Sequence, residues 1–349
     1  MSGDVEIRPL GTEDDEARDA LVRSEAAGTL FHESVWRDVV RDVLGAVPRE
    51  LGAWRGDELV GVLPVMRTRS LPTGSNWVSI PYGVYGGPVG GGDATARALL
   101  AEAERAARAD GAKRIELRTI EPAAGTEEWA ESTLYSTFVR DLPATPEEVL
   151  AQMPKKARAE ARKARTKHGL DLVEGRWYVE DLYRLFLQNK RSLGSPALPP
   201  RLFRALMQAL GPRVFVHLVH QDRAPVSAVM SFADGDTLIA YYSGTAAGAD
   251  RTVSASNFMY MALQEWAVEQ GFTRFDFCRS RGDSGAHRFK VHQGFEPTTM
   301  HYRYRLFGKA ELPSFTPSNP RTKVLRETWA KLPLFVVERL SPTLSRYLA

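Results

Sequence analysis

Apolar positions recur along this chain with two periods. Residues 94–110, ATARALLAEAERAARAD, and 255–270, ASNFMYMALQEWAVEQ, carry apolar side chains three and four apart, which predicts two helices. Each is followed by a glycine and then by alternating residues. The first joint reads Gly111-Ala112-Lys113-Arg114-Ile115-Glu116-Leu117 and the second Gly271-Phe272-Thr273-Arg274-Phe275-Asp276-Phe277. Glycine there ends a helix in the left-handed conformation, and the alternation beyond it predicts a strand. The shared pattern, G-x-x-R-apolar-acid-apolar, recurs at an offset of 160 positions. Upstream of each copy lies a predicted hairpin. LGAWRGDELVGVLPVM turns at Arg55-Gly56-Asp57, and VFVHLVHQDRAPVSAVM turns near Gln221-Asp222-Arg223. Helix-glycine-strand joints occur in many α/β proteins. The common order of hairpin, long glycine-containing loop, helix and strand favours an internal duplication.

The chain therefore reads as two α/β domains of like topology, residues 1–150 and 151–308, with a helical tail over 309–349. Helical stretches open it at 13–26 and 33–44. Between the halves, the helix beginning near Pro154 carries Lys155, Lys156, Arg158, Arg162, Lys163, Arg165 and Lys167 against one acid, Glu160. Its charges recur at three- and four-residue spacing and so surround most of the helix. They form either a solvated surface or a contact for RNA phosphates or an anionic sugar nucleotide. No aromatic residues are interleaved with them, which argues against base readout from this helix.

Composition narrows the classes. Forty-six basic and 43 acidic residues leave a net charge of +3, too balanced for a protein that coats nucleic acid, while a local basic patch stays open. The single cysteine, Cys278, excludes an internal disulfide framework, and the seven scattered histidines form no ligand motif, so no metal site is expected. No run of ~18 apolar residues predicts a membrane span, and the acidic N-terminus does not read as a secretory signal, so a cytoplasmic location is expected. Leu332, Leu334, Phe335, Val336 and Val337 make an apolar side in the tail. It either packs on the second domain or touches a membrane surface peripherally.

Three segments are candidates for chemistry. Pro81-Tyr82-Gly83-Val84-Tyr85-Gly86-Gly87-Pro88-Val89-Gly90-Gly91-Gly92 precedes a helix. It is either a cradle that lets backbone approach a ligand or simply a long loop. Arg251-Thr252-Val253-Ser254-Ala255-Ser256 opens the second repeated helix and resembles the R-x-x-G-x-A pyrophosphate loop of GNAT acetyltransferases, with Ser254 in the glycine position. The densest candidate is 276–295, a strand end, a polar glycine turn and a short helix bearing Phe289 and Lys290. Loops at strand C-termini of α/β domains hold ligands, and a lysine beside one can stabilise an oxyanion.

The order FDFCRS, glycine turn, HRFKVHQGFEP and closing strand MHYRYRL resembles the FemABX-like family of non-ribosomal peptidyltransferases, grouped with GNAT-like acyltransferases. The family's F-K-x-x-[WFH]-G element is similar to Phe289-Lys290-Val291-His292-Gln293-Gly294. FHESVWRDVV resembles its F-x-S-x-x-W helix, and Gly194-Ser195-Pro196 its glycine-[ST]-proline element. The resemblance spans nearly the whole chain and implies two tandem GNAT-like domains, each a mixed central sheet flanked by helices. It implies an acyl- or aminoacyltransferase in which an amine attacks an activated ester or thioester, with aminoacyl-tRNA as co-substrate and no tightly bound cofactor. Acyl-CoA is the alternative donor, in polysaccharide or natural-product synthesis, and a non-catalytic protein binding an envelope intermediate is a further reading. The family's R-G-P-V-x-D appears as Gly86-Gly87-Pro88-Val89-Gly90-Gly91, without arginine or acid, which weighs against the usual peptidoglycan precursor. By the same resemblance Lys290 neutralises the oxyanion and Phe289 shapes the donor channel. Arg37, Arg191 and Arg279 are candidates for holding acceptor anions, and Tyr82, Tyr85 and Tyr242 for positioning the acceptor, a small molecule, peptide or sugar nucleotide. Lys155, Lys156, Arg162 and Lys163 are the candidates for charged tRNA or another polyanion.

Overall fold

A computed structural model describes residues 5–70, 74–308, 310, 312, 320–345 and 347. The remaining positions of the expected tail, 309, 311, 313–319, 346, 348 and 349, lie outside the described residues. Contacts divide the chain into two compact units at other points than the sequence suggests. One comprises 1–135, 299–315 and 343–349, and the other 136–298 and 316–342.

The first unit runs β1 (Glu6–Pro9), α1 (Asp15–Ser24), α2 (Ser34–Val39), β2 (Val47–Pro48), β3 (Leu51–Arg55), β4 (Glu58–Leu63), β5 (Val65–Ser70), β6 (Gly74–Ser79), α3 (Gly92–Ala109), β7 (Arg114–Thr119) and β8 (Ala130–Thr137). The second runs β9 (Val139–Asp141), α4 (Pro146–Gln152), α5 (Lys155–Thr166), β10 (Asp171–Glu174), α6 (Val179–Ser192), α7 (Pro200–Leu210), β11 (Val214–Gln221), β12 (Ala224–Asp234), β13 (Thr237–Thr245), α8 (Ala249–Val253), α9 (Ala255–Glu269), β14 (Arg274–Asp276), β15 (Ser280–Arg281) and α10 (Gly285–His292). The chain then returns through β16 (Thr298–Leu306) and ends in α11 (Pro320–Lys331) and α12 (Leu334–Ser345).

The two units repeat one order. A short strand, two helices, an antiparallel set, a helix and a parallel strand recur as β1-α1-α2-β2-β3-β4-β5-β6-α3-β7 and again as β10-α6-α7-β11-β12-β13-α8-α9-β14, with the two-residue β2 added in the first and the short α8 in the second. In both, the strand after the repeated helix is parallel to the strand before it, β7 to β6 and β14 to β13. The copies differ at one proline. Strand β12 is 11 residues long and pairs with β11 and β13. In the first unit Pro64 lies between β4 and β5; β4 pairs with β3 and β5 with β6. Proline has no N–H for a ladder, so the strand breaks there and the first unit carries two sheets. Their orders are β1-β3-β4 and β8-β16-β7-β6-β5-β2, whereas the second unit has β10-β11-β12-β13-β14-β9.

The closing strands are exchanged in the sequence. Strand β9, before the second repeat, lies antiparallel to β14, and β16, after it, lies antiparallel to β7. The expected boundaries at 150 and 308 thus move, because MHYRYRL completes the first unit and Val139–Asp141 the second. Apolar cores form under each sheet. Leu99, Leu100, Ala103 and Ala107 of α3 pack with Trp77, Ile115 and Leu117, and Phe258, Met259, Met261 and Leu263 of α9 pack with Phe275, Phe277 and Phe295. In the tail, Val337 is buried and Leu332, Leu334 and Val336 are half-buried, while Phe335 is exposed. Among the described residues no helix is long and apolar enough to cross a membrane.

Candidate active site

The second unit opens where β13 and β14 part. Their parallel pairing covers only Thr237–Arg274, Leu238–Phe275 and Ile239–Asp276. Strand β13 continues to Thr245 with no strand beside it on that edge among the described residues. The other strand turns away. Asp276 accepts the Cys278 N–H at 2.6 Å, Phe277 N–H donates to Phe138 O at 2.8 Å, and Cys278 adopts φ 58°. A left-handed cysteine is a strained residue held by its surroundings.

Lys290 supplies the hold. It projects from α10 and is buried, and its ammonium donates to the carbonyls of Phe277, Cys278 at 2.9 Å and Arg279 at 3.2 Å. It also lies 5.2 Å from the Phe138 ring centre and 5.4 Å from that of Phe277. Three N–H groups meet three carbonyls, which leaves no fourth donor for an oxyanion. In this arrangement Lys290 positions the turn rather than touching a reacting carbonyl. Burial pulls its pKa down to about 8. Phe289 is half-buried against the core near Tyr260 and Phe277, at 5.7 and 6.3 Å between ring centres.

Residues that the sequence analysis left out complete the opening. Tyr260 of α9 donates to Ser243 Oγ of β13 at 2.9 Å, and burial raises its pKa to about 12, so the phenol stays protonated. It sits among the apolar residues of α9, where nothing in the sequence sets it apart from a core aromatic. Burial, and then Asp276, push the Cys278 thiol well above its ordinary range, so it is no thiolate nucleophile at neutral pH. Lys190 ends α6 with its ammonium 5.3 Å from the Phe186 ring centre and no ion pair among the described residues. Burial and then the Arg279 charge lower its pKa. Helix α6 reaches β13 through Gly244, where a Cβ would collide with the backbone of Leu185 and Phe186. Helix α9 thus meets β13 at Ser243 through Tyr260, and α6, which carries Lys190, meets its other side at Gly244.

The remaining expected residues scatter. Arg191 is half-buried, with its Nε lacking a hydrogen-bond partner among the described residues. Tyr242 is buried in an aromatic cluster with Phe203 at 4.9 Å and Phe186 at 5.8 Å. In the first unit Arg37 is buried. It donates to Asp15 at 2.6 and 2.7 Å, to Asp38 and to Glu50 at 3.3 Å, and Glu50 also pairs with Arg18 at 2.7 Å. That guanidinium is thus committed to carboxylates of the protein itself. Tyr85 is buried against Phe31. Tyr82 donates to Ser345 O at 3.0 Å beside a 260 Å³ cavity that also meets Tyr347 and Thr68. Within the glycine-rich loop Gly86 N–H goes to Arg118 O, and Val89 exchanges two bonds with Val62. No group of metal-ligating side chains occurs among the described residues.

Two anion sites resolve differently. At the N-terminus of α9, Asp250 accepts the Ser256 N–H at 2.8 Å and its hydroxyl at 3.1 Å. A carboxylate from the protein itself thus caps the Ser256 N–H at this helix end. Asp250→Ala is expected to cost about 1 kcal/mol, or ~2–4 °C in thermal unfolding of a unit this size. An unchanged transition would mean that the carboxylate does not hold this helix end. Helix α5 instead presents its charges outward. Ala157, Ala161 and Ala164 are buried and let it lie close on α9, while Lys155, Lys156, Arg162, Lys163 and Lys167 are exposed and make no ion pair among the described residues. The cations therefore occupy one continuous side, rather than surrounding the helix as the spacing suggested.

Comparison with known proteins places this geometry. Residues 151–291 match the family model of an acetyltransferase (GNAT) domain. No curated relative matches the sequence. Among solved structures the chain is similar to FemX, with a TM-score of 0.64 at 14% identity over 92% of this chain and 100% of that one. It is similar to a tandem GNAT protein from the clavulanic acid biosynthesis pathway, with a TM-score of 0.56 at 14% identity over 88% and 100%. It is also similar to L-PGS from Bacillus licheniformis, with a TM-score of 0.53 at 14% identity over 95% and 100%. The expected fold, two tandem GNAT-like domains, is the one observed.

Proposed function

We propose that this protein is an acyltransferase that forms an amide on an amine acceptor, with aminoacyl-tRNA as its donor. The observation that carries the donor is the pair of anion sites: Asp250 caps the N-terminus of α9, while α5 offers a one-sided row of cations with no ion pair among the described residues. An acyl-CoA donor would place its pyrophosphate on the former, and a polyanion would follow the latter. The acetyltransferase match over 151–291 favours acyl-CoA and is the competing reading.

The amine attacks the aminoacyl ester carbon, a tetrahedral oxyanion forms, and its collapse expels the ribose hydroxyl of the tRNA. Lys190 and Arg279 supply positive charge beside the opening. The Tyr260 phenol, protonated at neutral pH, can give its proton to the departing alkoxide and regain one from the attacking nitrogen, which loses a proton as the amide forms. Lys290 holds the 277–279 carbonyls and so fixes where Arg279 begins.

Product formation from a mixture of charged tRNA and acyl-CoA, followed by mass spectrometry, is expected to stop after ribonuclease treatment. Formation that survives ribonuclease and requires acyl-CoA would overturn the donor. Replacing Lys155, Lys156, Arg162 and Lys163 by Gln is expected to lower the slope of log K against log salt for tRNA by up to ~0.7–0.9 for each phosphate that the variant leaves unneutralised. An unchanged slope would return α5 to solvent.

A further inference from the structure

Gln293 caps the C-terminal end of α10 and is fully buried. Its N–H donates to the carbonyls of Phe289 and Lys290, at 2.9 and 3.1 Å, so it closes the helical turn that carries the lysine. Its side-chain amide donates to Asn257 Oδ1 of α9, and Asn257 Nδ2 donates to Glu160 Oε2 of α5 at 2.7 Å. His292 Nε2 lies 3.5 Å from the same carboxylate oxygen. Glu160, the one acid of α5, is therefore directed to α9 and α10. Gly294 follows with φ 84°, and a Cβ there would stand 2.7 Å from Pro154 Cδ at the start of α5. The end of α10 thus rests directly on α5, and both the conformation and the contact call for glycine.

One atom of this chain of contacts is left over. Gln293 Oε1 is buried with no hydrogen-bond partner among the described residues. A half-satisfied buried amide costs stability, and a hydrocarbon of like volume would fill the place better. A polar group kept at such a cost can fix one arrangement among several of similar packing. The arrangement fixed here is the register of α10, and with it the ammonium that holds the carbonyls of Phe277, Cys278 and Arg279.

We propose that Gln293 and Asn257 are positioning residues for the reaction. They seat α10 on α9 and α5, and through Lys290 they hold the turn at Cys278. The inference rests on the reading of this protein as an acyltransferase, and adds to it the residues that set the shape of the turn from behind.

Cys278 is the single cysteine of the chain and is buried in that turn. The rate at which the full chain reacts with dithionitrobenzoate therefore reads local opening of the turn, with no substrate present. Gln293→Met removes the unpartnered atom, and the half-buried Asn257 can turn its freed acceptor to water, so the thermal transition is expected to hold. The labelling rate is expected to rise about 10-fold. Asn257→Leu, which cuts the chain at its other joint, is expected to raise the rate as well. Gln293→Met added to Lys290→Met is expected to change the rate no further, because both act through one ammonium. Product formation from the mixture of charged tRNA and acyl-CoA is expected to fall with the turn. A wild-type labelling rate in Gln293→Met would overturn the positioning role and leave the transferase reading intact. Faster labelling with a lowered thermal transition in both single variants would assign the pair to general stability and overturn it as well. Faster labelling with an unchanged rate of product formation would separate the turn from the reaction and overturn the proposal. Absence of product from the wild type, with labelling altered as expected, would overturn the transferase reading and the role in a reaction that rests on it.

Discussion

Glu50→Ala is expected to destabilise the protein by about 3–5 kcal/mol, the largest effect of any single substitution considered. The carboxylate is 4% exposed, and it accepts from Arg18 at 2.7 Å and from Arg37 at 3.3 Å. Burial pushes its pKa up, against the pull of the two guanidiniums. Arg18 is 1% exposed and also carries Nε and Nη1 with no hydrogen-bond partner among the described residues. Removing Glu50 leaves that charge buried and unpaired, which costs far more than the pair itself contributes. Arg18→Met in the Glu50→Ala background is expected to restore much of the loss, because no buried charge then lacks its partner. Chemical denaturation of the two variants checks this. Equal stability of Glu50→Ala and wild type would show that the pair is not essential.

Lys290→Met is expected to lose stability and activity together. Three carbonyls in a buried turn lose their donor, at about 1–3 kcal/mol in all, and Cys278 is freed from its strained conformation. Displacement of the turn moves Arg279, so kcat is expected to fall ~10-fold or more while the thermal transition drops by several degrees. A fall in kcat of ~10²–10³ with an unchanged transition would return Lys290 to the oxyanion. The pH dependence adds a readout that shape alone does not move. Burial sets the folded pKa near 8, below the ordinary lysine value of 10.5. Between these values the unfolded chain binds more protons at this site than the folded one, so the Lys290 contribution to stability rises with pH across the window. Cys278, displaced upward, works in the opposite sense. The measurement is therefore the difference between wild type and Lys290→Met, and that difference is expected to shift toward wild type from pH 8 to 10.

The repeated helices and their glycine joints were legible because period and punctuation are local properties. The hairpins at Gly56 and Asp222 were legible for the same reason. Strands β1 and β10 were not: four residues of mixed burial carry too little alternation. The exchange of closing strands could not be read either. MHYRYRL announces a strand, but nothing local in a strand names its partner. The site was legible in outline only. The 276–295 segment does bear the strand end and Lys290, yet whether a lysine faces a substrate or three carbonyls depends on the path of the backbone around it. Arg37 shows the same limit, since its partners Asp15 and Glu50 lie 22 and 13 positions away. Tyr260 and Ser243 were hidden among apolar neighbours and became a pair only through packing.

The position of β16 also sets a timetable for synthesis. Strand β7 leaves the ribosome long before Thr298–Leu306, the strand that covers its edge. At ~5–20 residues per second that interval is on the order of ten to forty seconds. Throughout it, a nascent chain with the whole first repeat translated carries an uncovered edge between β7 and β8, where pairing with another chain is easiest. The second unit has no such wait, because β9 is made before the strand it covers. The C-terminal half is thereby able to close first, and the N-terminal half, though older, closes last.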